Sequence, residues 1–329
     1  MDYFLTDEQK EIQALARTIA EEKVVPVRAE LDEKEQFPRE ILDTLCETGL
    51  SGVFIDQKYG GFGGGVFELC LVIEQLSRAC TAVAVSYACN GLGLYPIILF
   101  GTEEQKERYL PMVATQKKLA AFGLTEPNAG SDAGGIQTSA RKDGNAYILN
   151  GTKQWITNGG EADIYVVIAL TDKSRGPRGA SAFILEKGME GFSFGKKEKK
   201  MGIRASSTTT LIFEDCRVPK ENLLGTEGKG FMIAMKNLDQ SRPGIGAQGV
   251  GLAQGALEAA VQYARERHQF GKPIISFQAI QHILADMATQ TEAARALIYS
   301  VARYMASNPR DFSKEIGRAS CRERVYHPV

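Results

Sequence analysis

The hydrophobic pattern changes its period twice along this chain, and no other feature of the sequence limits the fold as strongly. Residues 1–117 carry apolar side chains at helical spacing, residues 120–218 hold short β-rich runs, and the helical period returns from Gly228. This order predicts an α+β fold with an N-terminal all-α domain, a middle antiparallel β-domain and a C-terminal helical bundle. The predicted domains are 1–117, 118–226 and 227–315, followed by an aberrant tail at 316–329.

Local signals predict where several elements begin and end. Thr6 and Gln9 have the spacing of a capping box, so a helix should start there. Its predicted buried face carries Ile12, Leu15, Ala16 and Ile19. Asp143-Gly144-Asn145 predicts a hairpin turn. The predicted strands are 146–155, 164–170, 180–185 and 208–213, and two late helices are predicted over about 229–266 and 276–306.

Composition excludes several classes of protein. The 39 Lys+Arg are balanced by 40 Asp+Glu, which gives no reason to expect nucleic acid or an anionic membrane as a partner. The N-terminus lacks the basic and apolar regions of a secretory signal, and apolar stretches such as 96–100 are too short to span a bilayer. The six cysteines form no CxxC pair, and the three histidines make a metal site improbable. We therefore expect a soluble cytoplasmic protein with reduced thiols and no metal.

A glycine pattern at residues 244–249 fits G-x-G-x-x-G, the dinucleotide fingerprint. That fingerprint requires a preceding strand, because the strand-to-helix turn aims backbone N–H groups at the pyrophosphate. Here the preceding residues, 231–238, have helical character. The pattern favours small residues that let a helix approach a neighbour closely over a nicotinamide site.

The sequence with most chemical information lies in the β-rich segment. The run Gly123 to Asp132 combines hydroxyls, a proline-set turn and small residues, so it can present backbone N–H groups to a polar ligand. Trp155, the chain's only tryptophan, and Thr157 follow 24 and 26 residues after Ser131. Regular strand alternation would place both on one face, where an indole can lie on a flat ring and a hydroxyl can donate to it.

With these residues in place, the sequence resembles the FAD-dependent acyl-CoA dehydrogenase family of fatty acid metabolism. Three later stretches match the family in the same order, and the resemblance covers about residues 3–315. Those stretches are Lys200–Arg204, Leu238–Arg242, and Ala264–Pro273 with its continuation Phe277–Ile280.

The resemblance implies a role for each matching residue. Trp155 corresponds to the residue beside the isoalloxazine and Thr157 to the donor to flavin N5. The implied FAD-binding residues are Phe122, Leu124, Thr125, Ser131, Trp155, Thr157, Arg267, Gln269, Phe270 and Gln278, of which the last four act across a dimer interface. The implied acyl-CoA-binding residues are Ser131, Asp239 and Arg242.

The reaction that the resemblance implies is α,β-dehydrogenation of an acyl-CoA thioester. A carboxylate removes the α-proton, a hydride goes to the flavin, and electrons then pass to an electron-transfer flavoprotein. The implied assembly is a homotetramer, a dimer of dimers, when the bundle is complete. Neither a nucleic acid nor a membrane is an expected partner.

The general base is where this chain departs from the family. The usual glutamate lies beyond the last residue of this sequence, and the alternative position just ahead of Arg242 is Ser241, which cannot accept the proton. We assign no catalytic base, take the chain as C-terminally truncated and expect it to be inactive as written. Two alternatives stay open: a non-catalytic acyl-CoA- or flavin-binding protein, and a related oxidase or monooxygenase. The acyl chain cannot be assigned.

Overall fold

The computed structural model describes residues 3–307, which divide into two compact units. One unit holds residues 3–29, 65–84 and 242–307, and the other holds residues 30–64 and 85–241. The first unit is helical apart from one short hairpin, and the second combines helices with a large sheet. The predicted α+β class is therefore confirmed. The predicted aberrant tail lies outside the described residues.

The first unit begins with helix α1, Asp7–Ile19, and the predicted capping box of Thr6 and Gln9 is present. Ile12, Ala16 and Ile19 are buried as predicted, but Leu15 is 38% exposed, so the buried stripe is narrower than predicted. The chain continues as one π-helical turn, Ala20–Val24. The other helices of this unit are α4, Val66–Ala79; α7, Gly230–Glu266, of which residues 242–266 belong here; and α8, Gln278–Ser307.

Helices α4 and α7 approach each other closely because α7 presents glycines to α4. A Cβ added at Gly251 would lie 2.2 Å from the Glu74 carbonyl oxygen, and one at Gly255 would lie 2.3 Å from the Arg78 carbonyl oxygen. Gly244, in the fingerprint-like pattern, faces Ile73 at 3.1 Å. No strand precedes that pattern, since it lies inside α7. The pattern is therefore not a strand-to-helix turn, and the closest approaches lie just beyond it, at Gly251 and Gly255.

The second unit is built on an eight-stranded sheet of order β6-β7-β3-β2-β4-β5-β8, with β1 also paired to β4. The β1–β4 and β2–β4 pairs are parallel and the others antiparallel, which is close to the predicted topology. The strands are β1 Ala120–Gly123, β2 Ser139–Asp143, β3 Ala146–Thr157, β4 Ile164–Leu170, β5 Ala180–Glu186, β6 Phe192–Phe194, β7 Thr208–Pro219 and β8 Leu223–Leu224. The predicted hairpin is present: Asp143 pairs with Ala146, and Gly144 has φ +59°.

The helices of the second unit are most of α2, Arg28–Glu33; α3, Arg39–Glu47; α6, Glu103–Thr115; residues 85–100 of α5, Thr81–Phe100; and residues 230–241 of α7. The sequence did not predict α5, whose glycines and Pro96 disfavour a helix. Its length and mean hydropathy of 1.6 would suffice for a membrane span, so the expectation that no stretch is long enough was wrong. Because 67% of its apolar window is buried inside the protein, α5 fits a core helix equally well.

Candidate functional site

The loop that follows β1 forms the predicted proline-set turn. Glu126 and Ala129 exchange two backbone hydrogen bonds of 3.1 and 3.0 Å, with Pro127 and Asn128 exposed at the tip. The turn brings the Glu126 side chain back beneath the loop, where it is only 5% exposed. The loop is thus held by an internal side chain as well as by its backbone.

Strand β3 carries a bulge at the predicted flavin-contact residue. Lys153 pairs with Leu211 and Ile156 pairs with Thr209, so two residues of β3, Gln154 and Trp155, oppose one residue of β7. Trp155 has φ +58° and its side chain is 57% exposed. Such a conformation typically costs about 1–3 kcal/mol for a bulky residue and persists only where its surroundings impose it. The regular alternation assumed for Trp155 and Thr157 therefore does not hold at Trp155.

The predicted ring-side residues lie on adjacent segments of the second unit. The Gln154 N–H donates to the Thr125 carbonyl at 2.8 Å, which joins the loop to the bulge beside Trp155. The Thr125 and Thr157 side chains are half-buried, and their hydroxyls have no hydrogen-bond partner within residues 3–307. Phe122 and Leu124 are 7% and 8% exposed, while Ser131 is exposed at the far end of the loop.

A buried ion pair, which the sequence analysis missed, lies behind this surface. Lys153 is fully buried, and its Nζ lies 2.6 Å from Glu126 Oε1 and 3.1 Å from the Leu124 carbonyl oxygen. Burial lowers the pKa of Lys153 to about 8 against the opposing effect of Glu126. Burial acts to raise the pKa of the Glu126 carboxyl, but Lys153 and the neighbouring donors hold it below its ordinary value. At neutral pH both groups are therefore charged. Lys153 stands in a polar run, residues 150–154, so nothing in the sequence indicated that it would be buried.

A second group of predicted residues surrounds a short hairpin in the first unit. Strands β9, His268–Gln269, and β10, Lys272–Pro273, are joined by Phe270 and Gly271 at φ +52° and +76°, the angles of a type I′ turn. Phe270 is 91% exposed and meets Phe277 edge-on at 6.0 Å between ring centroids. The predicted residues Arg267, Gln269 and Gln278 are exposed as well.

The predicted CoA-side residues follow one another within helix α7. Asp239 belongs to the second unit and Arg242, three residues later in the sequence, to the first. Arg242 is exposed and Asp239 half-buried. Between them in the sequence, the Ser241 hydroxyl donates to the Leu238 carbonyl at 3.1 Å. A serine hydroxyl has no strongly basic atom.

The ring-side residues fit a flat, polar-edged cofactor. The ring side has an exposed indole, the half-buried hydroxyls of Thr125 and Thr157 and apolar neighbours, which suits an isoalloxazine. The hairpin offers Arg267, whose guanidinium suits a phosphate. Within residues 3–307, no group of three His, Cys, Asp or Glu side chains can hold a metal ion.

Three family descriptions match consecutive parts of the chain. The acyl-CoA dehydrogenase N-terminal domain matches residues 6–117, the middle domain residues 121–216 and the C-terminal domain residues 228–320. This chain belongs to the acyl-CoA dehydrogenase family. The match to the C-terminal domain ends at residue 320, whereas the sequence resemblance extends only to about residue 315.

Two curated relatives show how close the match is. The chain is 50% identical over 307 residues to a short-chain-specific acyl-CoA dehydrogenase of Megasphaera elsdenii, covering 92% of this chain and 80% of that protein. It is 49% identical over 317 residues to an acryloyl-CoA reductase (NADH) of Anaerotignum propionicum, covering 96% and 80%.

Solved structures agree with this assignment. A chain in the structure of the electron transferring flavoprotein of Acidaminococcus fermentans matches with a TM-score of 0.94 and 49% identity, covering 98% of this chain and 84% of that one. An acyl-CoA dehydrogenase from Bacillus anthracis, solved in complex with FAD, matches with a TM-score of 0.88 and 41% identity, covering 97% and 57%. The prediction of FAD as the cofactor of this acyl-CoA dehydrogenase is confirmed.

Proposed function

We propose that this protein catalyses FAD-dependent α,β-dehydrogenation of a short-chain acyl-CoA. The observation that carries the proposal is the exposed, bulged Trp155 beside the half-buried hydroxyls of Thr125 and Thr157. A strained and exposed aromatic residue is best explained by a ligand that it contacts. The short-chain specificity of the Megasphaera elsdenii relative supports a small acyl group.

The chain's own residues would bind and orient the reactants. Bound FAD supplies the hydride acceptor. The Trp155 indole would lie against the flat ring, and the Thr157 hydroxyl would donate a hydrogen bond to its edge. Phe122 and Leu124 would exclude water behind it. Ser131, Asp239 and Arg242 would bind the acyl-CoA, with the Arg242 guanidinium suited to a phosphate of the CoA arm.

The outward-facing groups support an assembly. Three large apolar residues of the first unit are exposed to solvent: Phe270 by 91%, Leu252 by 55% and Ile283 by 57%. Exposed apolar surface of this kind is typical of a protein–protein interface. We propose that a second copy covers them and that Arg267, Gln269, Phe270 and Gln278 bind the pyrophosphate and adenosine end of the partner's FAD. The full assembly would be a cytoplasmic homotetramer. The match to a chain in the Acidaminococcus fermentans structure supports an electron-transfer flavoprotein as the electron acceptor.

Two other functions have specific support. The Anaerotignum propionicum relative is an NADH-linked reductase, so the same site could act in the direction of reduction. Ser241 supports a non-catalytic flavin- or acyl-CoA-binding protein, because its hydroxyl cannot serve as the base. Our expectation that the 329-residue chain has little or no dehydrogenase activity stays a prediction.

The test is anaerobic addition of butyryl-CoA to the FAD-loaded chain. We expect an immediate change in the flavin absorption spectrum, followed by slow bleaching and formation of the 2,3-unsaturated thioester. Arg242→Ala should raise the half-saturating acyl-CoA concentration about tenfold, since charged contacts contribute about 1.5–3 kcal/mol.

Arg265→Ala is the matched control, because Arg265 is an exposed arginine on the same helix outside the proposed site. It should leave the half-saturating concentration unchanged. Bleaching by NADH but not by butyryl-CoA would favour the reductase. The absence of any spectral response to acyl-CoA, with FAD bound, would overturn the proposed function.

A further inference from the structure

Lys153 is a fully buried charged residue, and an apolar side chain of similar size could fill the same space. Its side chain is 0% exposed and that of Glu126 is 6% exposed. Burying two charges is costly, and well-packed apolar residues of similar size are often as stabilising as a buried ion pair. The position of the pair, between the Thr125 loop and the bulge at Trp155, suggests a reason other than stability.

Glu126 fixes the loop from the inside. Its Oε2 accepts the Gln137 N–H at 2.5 Å, and its Oε1 accepts the Thr138 N–H at 3.0 Å as well as the Lys153 ammonium. The carboxylate thus joins the turn at 126–129 to the segment that leads into β2. Three donors thus contact one carboxylate, two of them backbone N–H groups.

Lys153, a residue of strand β3, connects the loop to that strand. Its Nζ is bonded to Glu126 and to the Leu124 carbonyl, and its stem passes beneath Gly123, where an added Cβ would meet Lys153 Cγ at 3.4 Å. The next residue, Gln154, donates its N–H to the Thr125 carbonyl at 2.8 Å. The two residues that precede Trp155 are therefore both bonded to the same loop, Lys153 through its side chain and Gln154 through its backbone.

We infer that the Glu126–Lys153 pair is a positioning device that imposes the left-handed backbone conformation of Trp155 and so sets the direction of its indole. A bulky residue at φ +58° relaxes towards ordinary strand geometry unless its neighbours prevent it. The bonds of Lys153 and Gln154 to the loop are what prevent it. The inference rests on the proposed function only in taking the indole to face the flavin.

The test uses Trp155 as its own reporter, because the chain has a single tryptophan. The full chain, labelled with 5-fluorotryptophan and free of FAD, gives one 19F resonance. Lys153→Met should shift or split that resonance and increase the quenching of Trp155 fluorescence by acrylamide. Lys118→Met is the matched control, because Lys118 is a half-exposed lysine of the same unit whose Nζ lies 2.9 Å from Asp163 Oδ1. It should leave the Trp155 signals unchanged.

The double variant Glu126→Gln/Lys153→Met separates positioning from stability. It leaves no buried charge and should regain most of the melting temperature lost in Lys153→Met, while the Trp155 resonance stays displaced and FAD binds about tenfold more weakly. If the double variant restores the wild-type resonance together with the melting temperature, or if Lys153→Met folds with an unchanged resonance, the inference is wrong. Because the resonance is measured without FAD, failure of the wild-type chain to bind FAD would count against the proposed function alone.

Discussion

Replacing Ser241 by glutamate is expected to raise the rate at which acyl-CoA bleaches the bound flavin by about 10²-fold, the lower end of what a general base contributes. The family resemblance places an alternative base position just ahead of Arg242, and Ser241 occupies it. The serine hydroxyl donates to the Leu238 carbonyl and accepts no proton from a thioester at neutral pH. A carboxylate at the same place in α7 would supply a proton acceptor.

Ser241→Gln is the matched control, because it has the volume of glutamate without the basicity. Single-turnover bleaching would be followed for wild type, Ser241→Glu and Ser241→Gln under the same acyl-CoA concentrations. Only the glutamate variant should accelerate, and its rate should rise with pH as the carboxyl ionises. Equal rates in the three proteins would mean that a base elsewhere in the chain already removes the α-proton.

Arg295→Met is expected to lower the free energy of unfolding by about 3–5 kcal/mol, because it leaves a buried carboxylate without its partner. The Glu74 side chain is 4% exposed, and its Oε1 accepts Arg295 Nε at 2.9 Å. Arg295 also donates to the Gln254 side chain at 2.7 Å, which ties α8 to α7 as well as to α4. Denaturant unfolding of both proteins at pH 7 measures the difference.

The pH dependence of this loss has a definite sign. Burial raises the pKa of Glu74 even with Arg295 present, so the folded protein holds the Glu74 proton more tightly than the unfolded chain does. Such a group contributes stability at low pH that is lost as the pH rises through the folded pKa. Without Arg295 the pKa rises further, and the destabilisation should be largest near neutral pH and smaller towards pH 4.

Glu292→Gln is the control for this prediction. Glu292 pairs with the same arginine but its side chain is 39% exposed, so its loss should cost less than about 1 kcal/mol. The double variant Glu74→Leu/Arg295→Met should regain much of the stability, because it leaves no buried charge. A loss at pH 7 no larger in Arg295→Met than in Glu292→Gln would contradict the account of a buried ion pair.

Local rules predicted the parts of the fold that depend on nearby residues. The capping box at Thr6 and the hairpin at Gly144 were predicted because a few adjacent residues determine them. Helix α5 was missed because its propensity is poor and only burial in the surrounding protein stabilises it. Leu15 was misplaced because helical period gives the direction of a face but not its width.

The candidate site shows the same division. The loop at Thr125 and the residues Trp155 and Thr157 were located by their sequence, but the bulge that changes the direction of Trp155 was not. A bulge depends on the register between β3 and β7, which lie more than fifty residues apart. The pair of Glu126 and Lys153 was missed for the same reason, since its two members meet only after the loop folds onto β3.

The central claim is that the flavin ring lies against Trp155, and titration of the full chain with FAD tests it most directly. Because Trp155 is the only tryptophan, all of the tryptophan emission comes from this one residue. The account predicts that most of the tryptophan emission is quenched in proportion to bound FAD, reaching a plateau at one FAD per chain. A chain that binds FAD stoichiometrically, shown by equilibrium dialysis, while the Trp155 emission stays unchanged would contradict it.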